Sequence, residues 1–355
     1  MEYREFVFWY YRFLNGEYDL NYGRDKDKKI HELSSMPIDV VEEIVEHLDI
    51  FDRLAVRNVS RDLRALIDKR ITSVKRISCN ISHNFISLCI DNNQYFHKES
   101  KNPKTSQSIY NDEDRTMHLT CIEEPGAMKN SLKLLGYYLK SPKQKLKSLS
   151  IGTDQYDEAQ RFSEDWDIID QCYKKLESFL LSLEHQISTE SFDNWFISEH
   201  FFLVALKSFE PGVLENMKGE VYWRRNEVMD EIVKTEQWKR AKRFISEGTM
   251  PAIVDGAAHF EEFAMDWNDG ELKDAVRLKQ LLLESKTFKK GELSTFVPGV
   301  YDRNASNDRI VEALGPRIFR DAENPLKWSY PIPDTDEFLD FHQDDDGVFH
   351  IERTT

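Results

Sequence analysis

The chain has 355 residues, with 48 Lys and Arg against 64 Asp and Glu and a formal net charge of −16. A hydrophobic content of 40% with 12% aromatics supplies enough apolar surface for a packed core, which excludes wholesale disorder. The negative charge argues against a general nucleic-acid binder, and a mean hydropathy of −0.60 without an apolar run of about 18 residues predicts no transmembrane span.

The cysteines indicate a reducing compartment. They are too few and too scattered for a disulfide scaffold, and none forms a Cys-x-x-Cys pair: Cys79, Cys89, Cys121 and Cys172. The first apolar stretch, 6–11, is shorter than the core of a signal peptide. We therefore expect a cytoplasmic or nuclear location, or both, without membrane contact.

Residues 1–31 divide into an aromatic part and a polar part. The stretch 6–14 is dense in aromatic residues and predicts a short helix that ends at Asn15-Gly16. We expect its aromatic side chains to pack on the main body of the protein.

A three-helix module is predicted next, over 32–72. Pro37 suits the first turn of a helix, and Val41, Ile44, Val45 and Leu48 then follow with the spacing of one helical face. Asp49 and Ser60 are placed to cap a second and a third helix. Three short helices cannot bury this apolar surface among themselves, so another surface must cover it.

From about Val74 onward, short strand-like stretches alternate with longer helix-like ones. Predicted helices lie at 166–173, 201–209, 227–242 and 271–286. The pattern apolar-x-x-apolar-x-apolar marks the strand-like stretches, starting at Val74, Leu146, Leu176, Phe260 and, in a weaker copy, Leu214. We predict an α+β or α/β domain over 73–315. The pattern fits a leucine-rich-repeat-like, solenoid-like stack, and an ordinary mixed domain fits equally well.

Two further segments have simple interpretations. The polar stretch 92–114 is predicted to be an extended loop. Within a C-terminal extension, 316–355, apolar runs at 338–341 and 348–351 flank Asp346-Gly347, which is typical of a hairpin.

Motifs that carry chemistry are missing from the sequence. The glycines form no phosphate-binding loop, the histidines no His-x-x-x-His pair, and no serine sits in a Gly-x-Ser-x-Gly elbow. We therefore expect no catalytic residue, no metal, no cofactor and no enzyme activity. The basic stretches 140–147 and 238–244 fit helix ends with buried aromatics, or a nucleic-acid patch, and we favour the first interpretation.

The three-helix module resembles an F-box. The matching residues begin with Met36-Pro37 and continue through Ile44, Leu48-Asp49 and Asp52-x-Leu54. They end with the run Arg57-Asn58-Val59-Ser60-Arg61-Asp62-Leu63-Arg64. Two small departures are Met36 in place of the usual leucine and Arg53 before Leu54.

The remainder resembles the nematode F-box A family, whose members carry an FTH domain after the F-box. The segment Glu236-Gln237-Trp238-Lys239-Arg240-Ala241-Lys242 is similar to the signature of that domain, which we place at about 132–288. Residues 9–20 are similar to the end of a mariner-type transposase helix-turn-helix, here in shortened form.

This resemblance implies the substrate-recognition subunit of a Skp-cullin-F-box ubiquitin ligase. The F-box would dock on a Skp-type adaptor, and through it on a cullin, while the FTH-containing domain holds a protein target. Two alternatives are an interaction module that acts outside a ligase and a transposase-derived DNA binder. The sequence does not indicate which residues bind the target. The matching adaptor-binding positions are Met36, Pro37, Val41, Ile44, Leu48, Leu54 and Val59.

Overall fold

A computed structural model describes most of the chain, and the described residues form two compact units, Met1–Lys69 and Arg70–Thr355. Those residues are 3–19, 22, 36–48, 50–71, 74–82, 85–112, 115–153, 164–222, 226–250, 252–267, 271–295, 303–318, 327–344 and 347–355.

The first unit is helical. Helix α1 is the predicted aromatic helix, and the three short helices expected for the F-box-like segment follow it, so both predictions are confirmed. Their bounds are α1 Tyr3–Leu14, α2 Ile38–His47, α3 Ile50–Arg57 and α4 Arg61–Ile71. Asp49, the predicted cap of the second helix, lies outside the described residues.

The second unit is a mixed α+β domain built on one open sheet of fourteen described strands, in the order β12-β13-β14-β11-β10-β9-β8-β7-β6-β1-β2-β3-β5-β4. The strands are β1 Arg76–Ile81, β2 Phe85–Ile90, β3 Asn93–Glu99, β4 Lys104–Asp112, β5 Arg115–Glu124, β6 Lys145–Gly152, β7 Ser188–Ser198, β8 Asn216–Tyr222, β9 Arg243–Met250, β10 Glu262–Trp267, β11 Lys290–Thr295, β12 Lys327–Pro331, β13 Phe338–Gln343 and β14 Phe349–Thr354. The helices are α5 Ala127–Leu139, α6 Glu164–Leu181, α7 Glu199–Lys207, α8 Asn226–Ile232, α9 Glu236–Arg240, α10 Val254–Ala257, α11 Leu272–Glu284 and α12 Arg303–Ala313.

The central strands β1 and β6 to β11 are all parallel, and they follow one another across the sheet in chain order. Their register aligns one buried residue from each strand into a continuous row. The row runs Ile77, Leu149, Phe192, Met217, Phe244, Phe263 and Gly291. Consecutive order of this kind is what a strand–helix repeat requires.

A second buried row lies three residues before the first. Its members are Val74, Leu146, Thr189, Leu214, Ala241, Phe260 and Phe288. Four of the predicted pattern copies, those starting at Val74, Leu146, Leu214 and Phe260, therefore mark strands of this ladder. The pattern does not reveal the strands whose copies start at Thr189, Ala241 and Phe288. An apolar position in each of these copies is taken by another residue type, for example Thr189, Ser246 and Gly291.

The copy that starts at Leu176 is wrong as a strand, because it lies in helix α6. Ile169, Cys172, Leu176 and Leu180 are all buried and follow one another at spacings of three and four residues. A pair of apolar residues three positions apart fits a helix as well as this strand pattern, so the spacing alone could not separate the two.

Two other predictions are corrected. The stretch 92–114 is not a loop, since it contains β3 and β4, which pair with β2 and β5. The predicted helix 227–242 is broken into α8 and α9, because Thr235 caps α9 by accepting a hydrogen bond from the N–H of Trp238. The C-terminal hairpin is confirmed, as β13 and β14 pair antiparallel.

Gly219 is required where β8 passes β7. Its φ of 146° is rarely adopted by residues with a side chain, and a Cβ at this position would overlap the backbone carbonyl of Asn194. Asn194 is itself buried and donates its side-chain amide to the carbonyl of Lys218 at 3.2 Å. The two strands therefore approach too closely for any other residue.

Gly219→Ala should lower the free energy of unfolding by about 3 kcal/mol, since both a strained φ and a backbone overlap must be relieved. Urea denaturation followed by circular dichroism measures the change. Gly248→Ala is the matched control, because its Cβ would meet only the flexible side chain of Glu220, at 3.1 Å from Cγ. Equal stability of the two variants would contradict the close approach.

Candidate functional site

Polar side chains at the helix ends hold the three short helices together. Ser60 accepts a hydrogen bond from the N–H of Leu63 at 3.2 Å and caps α4, as predicted. Arg57, near the end of α3, donates to both carboxylate oxygens of Asp68 on α4, at 2.6 and 3.1 Å. A two-point contact of this kind fixes direction as well as distance. It therefore sets how α3 and α4 lie against each other.

Arg53 performs the corresponding task for α2. It donates to the carbonyl of Val45 at 3.0 Å and to that of Glu46 at 2.8 Å. These are orphan carbonyls of the last turn of α2, which a guanidinium satisfies well. The residue noted in the sequence as a departure before Leu54 is thus a structural cap.

Helix α2 carries an apolar face that is only partly covered. Val41 and Val45 are buried on one side of it. Ile38, Val40 and Ile44 are exposed by 57%, 46% and 37%. Pro37, Val40 and Ile44 are spaced three and four residues apart and therefore lie along one stripe. This stripe, which we call the α2 stripe, presents apolar side chains to solvent.

The predicted adaptor-binding residues fall into three groups. Pro37, Ile44 and Val59 are exposed, the last by 72% in the turn between α3 and α4. Met36, Leu48 and Leu54 are half-buried, and Val41 is buried. Ile38 and Val40 are two further exposed apolar residues, which we did not predict as adaptor-binding positions. The spacing of Val40 from Pro37 and Ile44 was available as a signal.

In the second unit, the signature-like segment around α9 lies in the core. Gln237 is 5% exposed and donates to the carbonyl of Phe209 at 2.7 Å, which connects α9 to the segment that follows α7. Trp238 is fully buried and donates its indole N–H to the carbonyl of Gly256 at 2.8 Å. Each side chain satisfies a backbone group of a different neighbouring segment.

Comparison with known proteins agrees with the division of the chain into a small helical unit and a large α+β unit. The F-box domain family matches residues 33–74, and the FTH domain family matches residues 170–317. The chain therefore contains an F-box domain and an FTH domain. It is 26% identical over 309 residues to F-box A protein 224 of Caenorhabditis elegans, across 81% of this chain and 73% of that protein. No solved structure matches it.

The F-box thus contains helices α2 to α4, and the FTH match begins within α6 and ends beyond α12. The domain boundaries that we predicted from the sequence, such as 32–72 for the F-box, stay predictions. Because Gln237 and Trp238 are buried and bonded to backbone, the FTH signature in this chain serves folding.

The cations of the basic stretch 238–244 are paired with carboxylates. Lys239 and Arg240 contact Glu236 at 3.1 and 3.5 Å, Lys242 contacts Glu215 at 2.6 Å, and Arg243 contacts Glu262 at 2.8 Å. Trp238 and Phe244 are buried. Because its cations are paired and its aromatics are buried, the stretch 238–244 does not form a nucleic-acid-binding surface. In the other basic stretch, 140–147, the four lysines are exposed.

The described residues offer no further chemistry of the kinds considered above. Their His, Cys, Asp and Glu side chains form no group of three that could hold a metal ion. None of the described helices combines the length and the apolar character that crossing a membrane demands. The cysteines are free thiols, and burial raises the pKa of Cys79 to about 12 and that of Cys172 to about 11, which makes both poor nucleophiles.

Gln237→Ala should destabilise the second unit by about 1–3 kcal/mol, because it leaves the Phe209 carbonyl buried without its donor. Thermal and urea unfolding measure the loss. The adjacent variant Glu236→Gln changes only exposed ion pairs and should stay within about 1 kcal/mol of the wild type. If Gln237→Ala were as stable as Glu236→Gln, the signature would not be serving the fold.

Proposed function

We propose that this protein is the substrate-recognition subunit of a Skp-cullin-F-box ubiquitin ligase. The F-box docks on a Skp-type adaptor, which links it to a cullin, and the FTH-containing domain binds a protein target. The observation that carries the proposal is the exposed α2 stripe. A small helical unit leaves Pro37 and Ile44 exposed to water at positions where the F-box resemblance implies a partner, with the exposed Val40 between them.

The apolar residues around the stripe give the adaptor a sizeable contact. Ile38, Val40, Ile44 and Val59 are exposed, and fully burying an aliphatic side chain contributes about 1.5–3 kcal/mol. Met36, Leu48 and Leu54, which are half-buried, extend the contact at its margins. Val41 supports the stripe from beneath. A largely apolar contact of this kind suits a helical adaptor.

The large domain is proposed to act as the target-binding part. Its central parallel strands follow one another in chain order. On the face opposite the buried row they align six half-exposed residues: Ser78, Ser150, Asp193, Lys218, Ile245 and Ala264. A row of mixed hydroxyl, charged and small apolar side chains can select a protein surface by hydrogen bonds and charge. It needs no catalytic group.

The proposed setting is the cytoplasm, the nucleus or both. Four free cysteines, two of them buried, suit a reducing compartment. The proposal includes no enzyme activity of the chain itself, since ubiquitin transfer would be the work of the other ligase subunits.

Ile44→Asp should weaken adaptor binding about tenfold or more, because a carboxylate in the apolar contact loses over 1.4 kcal/mol of burial and desolvation energy. A pull-down of the full chain with a purified Skp-type adaptor, followed by calorimetric titration, measures the effect. Circular dichroism checks that the variant is folded.

The matched control is Ala65→Asp, which places the same charge on an exposed position of α4. It should bind like the wild type. Failure of the folded wild-type chain to bind the adaptor would refute the proposed function. Equal binding by the Ile44→Asp variant would remove the α2 stripe from the interface.

A further inference from the structure

Strand β4 forms an open edge of the sheet. It is the last strand in the order, and among the described strands it pairs only with β5. The side chains of residues 104–109 are exposed, and Ile109 is 64% exposed. One row of backbone donors and acceptors is therefore open to another strand.

The hydrogen bonds of β5 identify which residues of β4 supply that row. His118 of β5 donates its N–H to the carbonyl of Asn92, on the side of β3. Its partner across the β4–β5 ladder is Ile109, so this pair is not hydrogen-bonded, and the N–H and C=O of Ile109 point to the open edge. Alternation along the strand gives the same outward direction to Thr105, Gln107 and Asn111.

The interior of β4 lacks the devices that normally block strand pairing. Natural edge strands carry inward charges, prolines, bulges or very short ladders. β4 pairs with β5 over nine consecutive residues without a bulge, and its interior run Thr-Ser-Gln-Ser-Ile-Tyr-Asn has no charge and no proline. Its charges stand only at the ends, where Lys104 begins the strand and Asp112 closes it.

We propose that two copies of this chain pair through β4, antiparallel and around a two-fold axis at Ser108. This register places Thr105 opposite Asn111 of the second copy and Gln107 opposite Ile109. These are the residues whose backbone groups point outward, so each pair can exchange two hydrogen bonds. The sheet then continues from one copy into the other.

The charge pattern selects this register and favours a second copy as the occupant. With Ser108 on the axis, the register position of Lys104 in each copy is opposite that of Asp112 in the other, so residues of opposite charge are aligned at both ends. A shift of one β4 strand along the other by two residues would separate both Lys104–Asp112 pairs. A shift by one residue would place the outward-pointing backbone groups of one strand opposite residues whose groups point inward. A strand with a cation at its start and an anion at its end is complementary to itself when antiparallel.

The test is site-specific disulfide crosslinking of the full chain in a Cys121→Ser background. In the proposed dimer, residue 108 of one copy lies directly opposite residue 108 of the other, at a non-hydrogen-bonded pair. The distance between the two Cα atoms at such a pair suits a disulfide, so the Ser108→Cys variant can form one. It should form a crosslinked dimer under mild oxidation. Ser106→Cys lies on the same face two residues away and should not crosslink. Maleimide labelling checks that both thiols are accessible.

Charge reversal tests the register independently of oxidation. Lys104→Glu should abolish the Ser108→Cys crosslink, and adding Asp112→Lys should restore it. Three results would overturn the proposal: accessible Ser108→Cys thiols that do not crosslink, Ser106→Cys thiols that crosslink as efficiently, or a double charge reversal that stays uncrosslinked.

Discussion

The parallel register of the central strands is the constraint on which the large domain depends. Each strand contributes one residue to a buried row, and neighbours such as Leu149 and Phe192 meet only in this alignment. A slip of one residue would place Asp193 in the core and Phe192 on the polar face. The same register brings Gly219 against Asn194, where a side chain has no room. The parallel strands, Gly219 and the buried FTH signature residues therefore all contribute to the packing of this domain.

In this packing, the residues that hold the fold together differ from the residues that we propose for binding partners. The signature residues Gln237 and Trp238 connect α9 to its neighbours, and the cations beside them are neutralised by Glu236, Glu215 and Glu262. In the F-box, Arg53 and Arg57 likewise hold the helices together, which leaves the apolar α2 stripe uncommitted. Recognition surfaces can vary when the fold is fixed elsewhere.

The sequence predicted features that depend on short-range chemistry. The cap at Ser60, the helical spacing of α2 and the hairpin around Gly347 all follow from local patterns, and each is present. Residues 176–181 were assigned to a strand because helix and strand share an apolar pair at that spacing. The strands β3 and β4 were missed because polar sequences such as Thr-Ser-Gln-Ser pair only when β5 supplies the partner. Long-range pairing leaves little trace in a local pattern.

The division between a binding F-box and a structural ladder is tested most directly by hydrogen exchange with and without the Skp-type adaptor. We expect slower exchange in residues 36–59 on binding, and unchanged exchange in the central strands β6 to β11. Protection confined to the ladder, or no protection anywhere in the folded chain, would contradict the account.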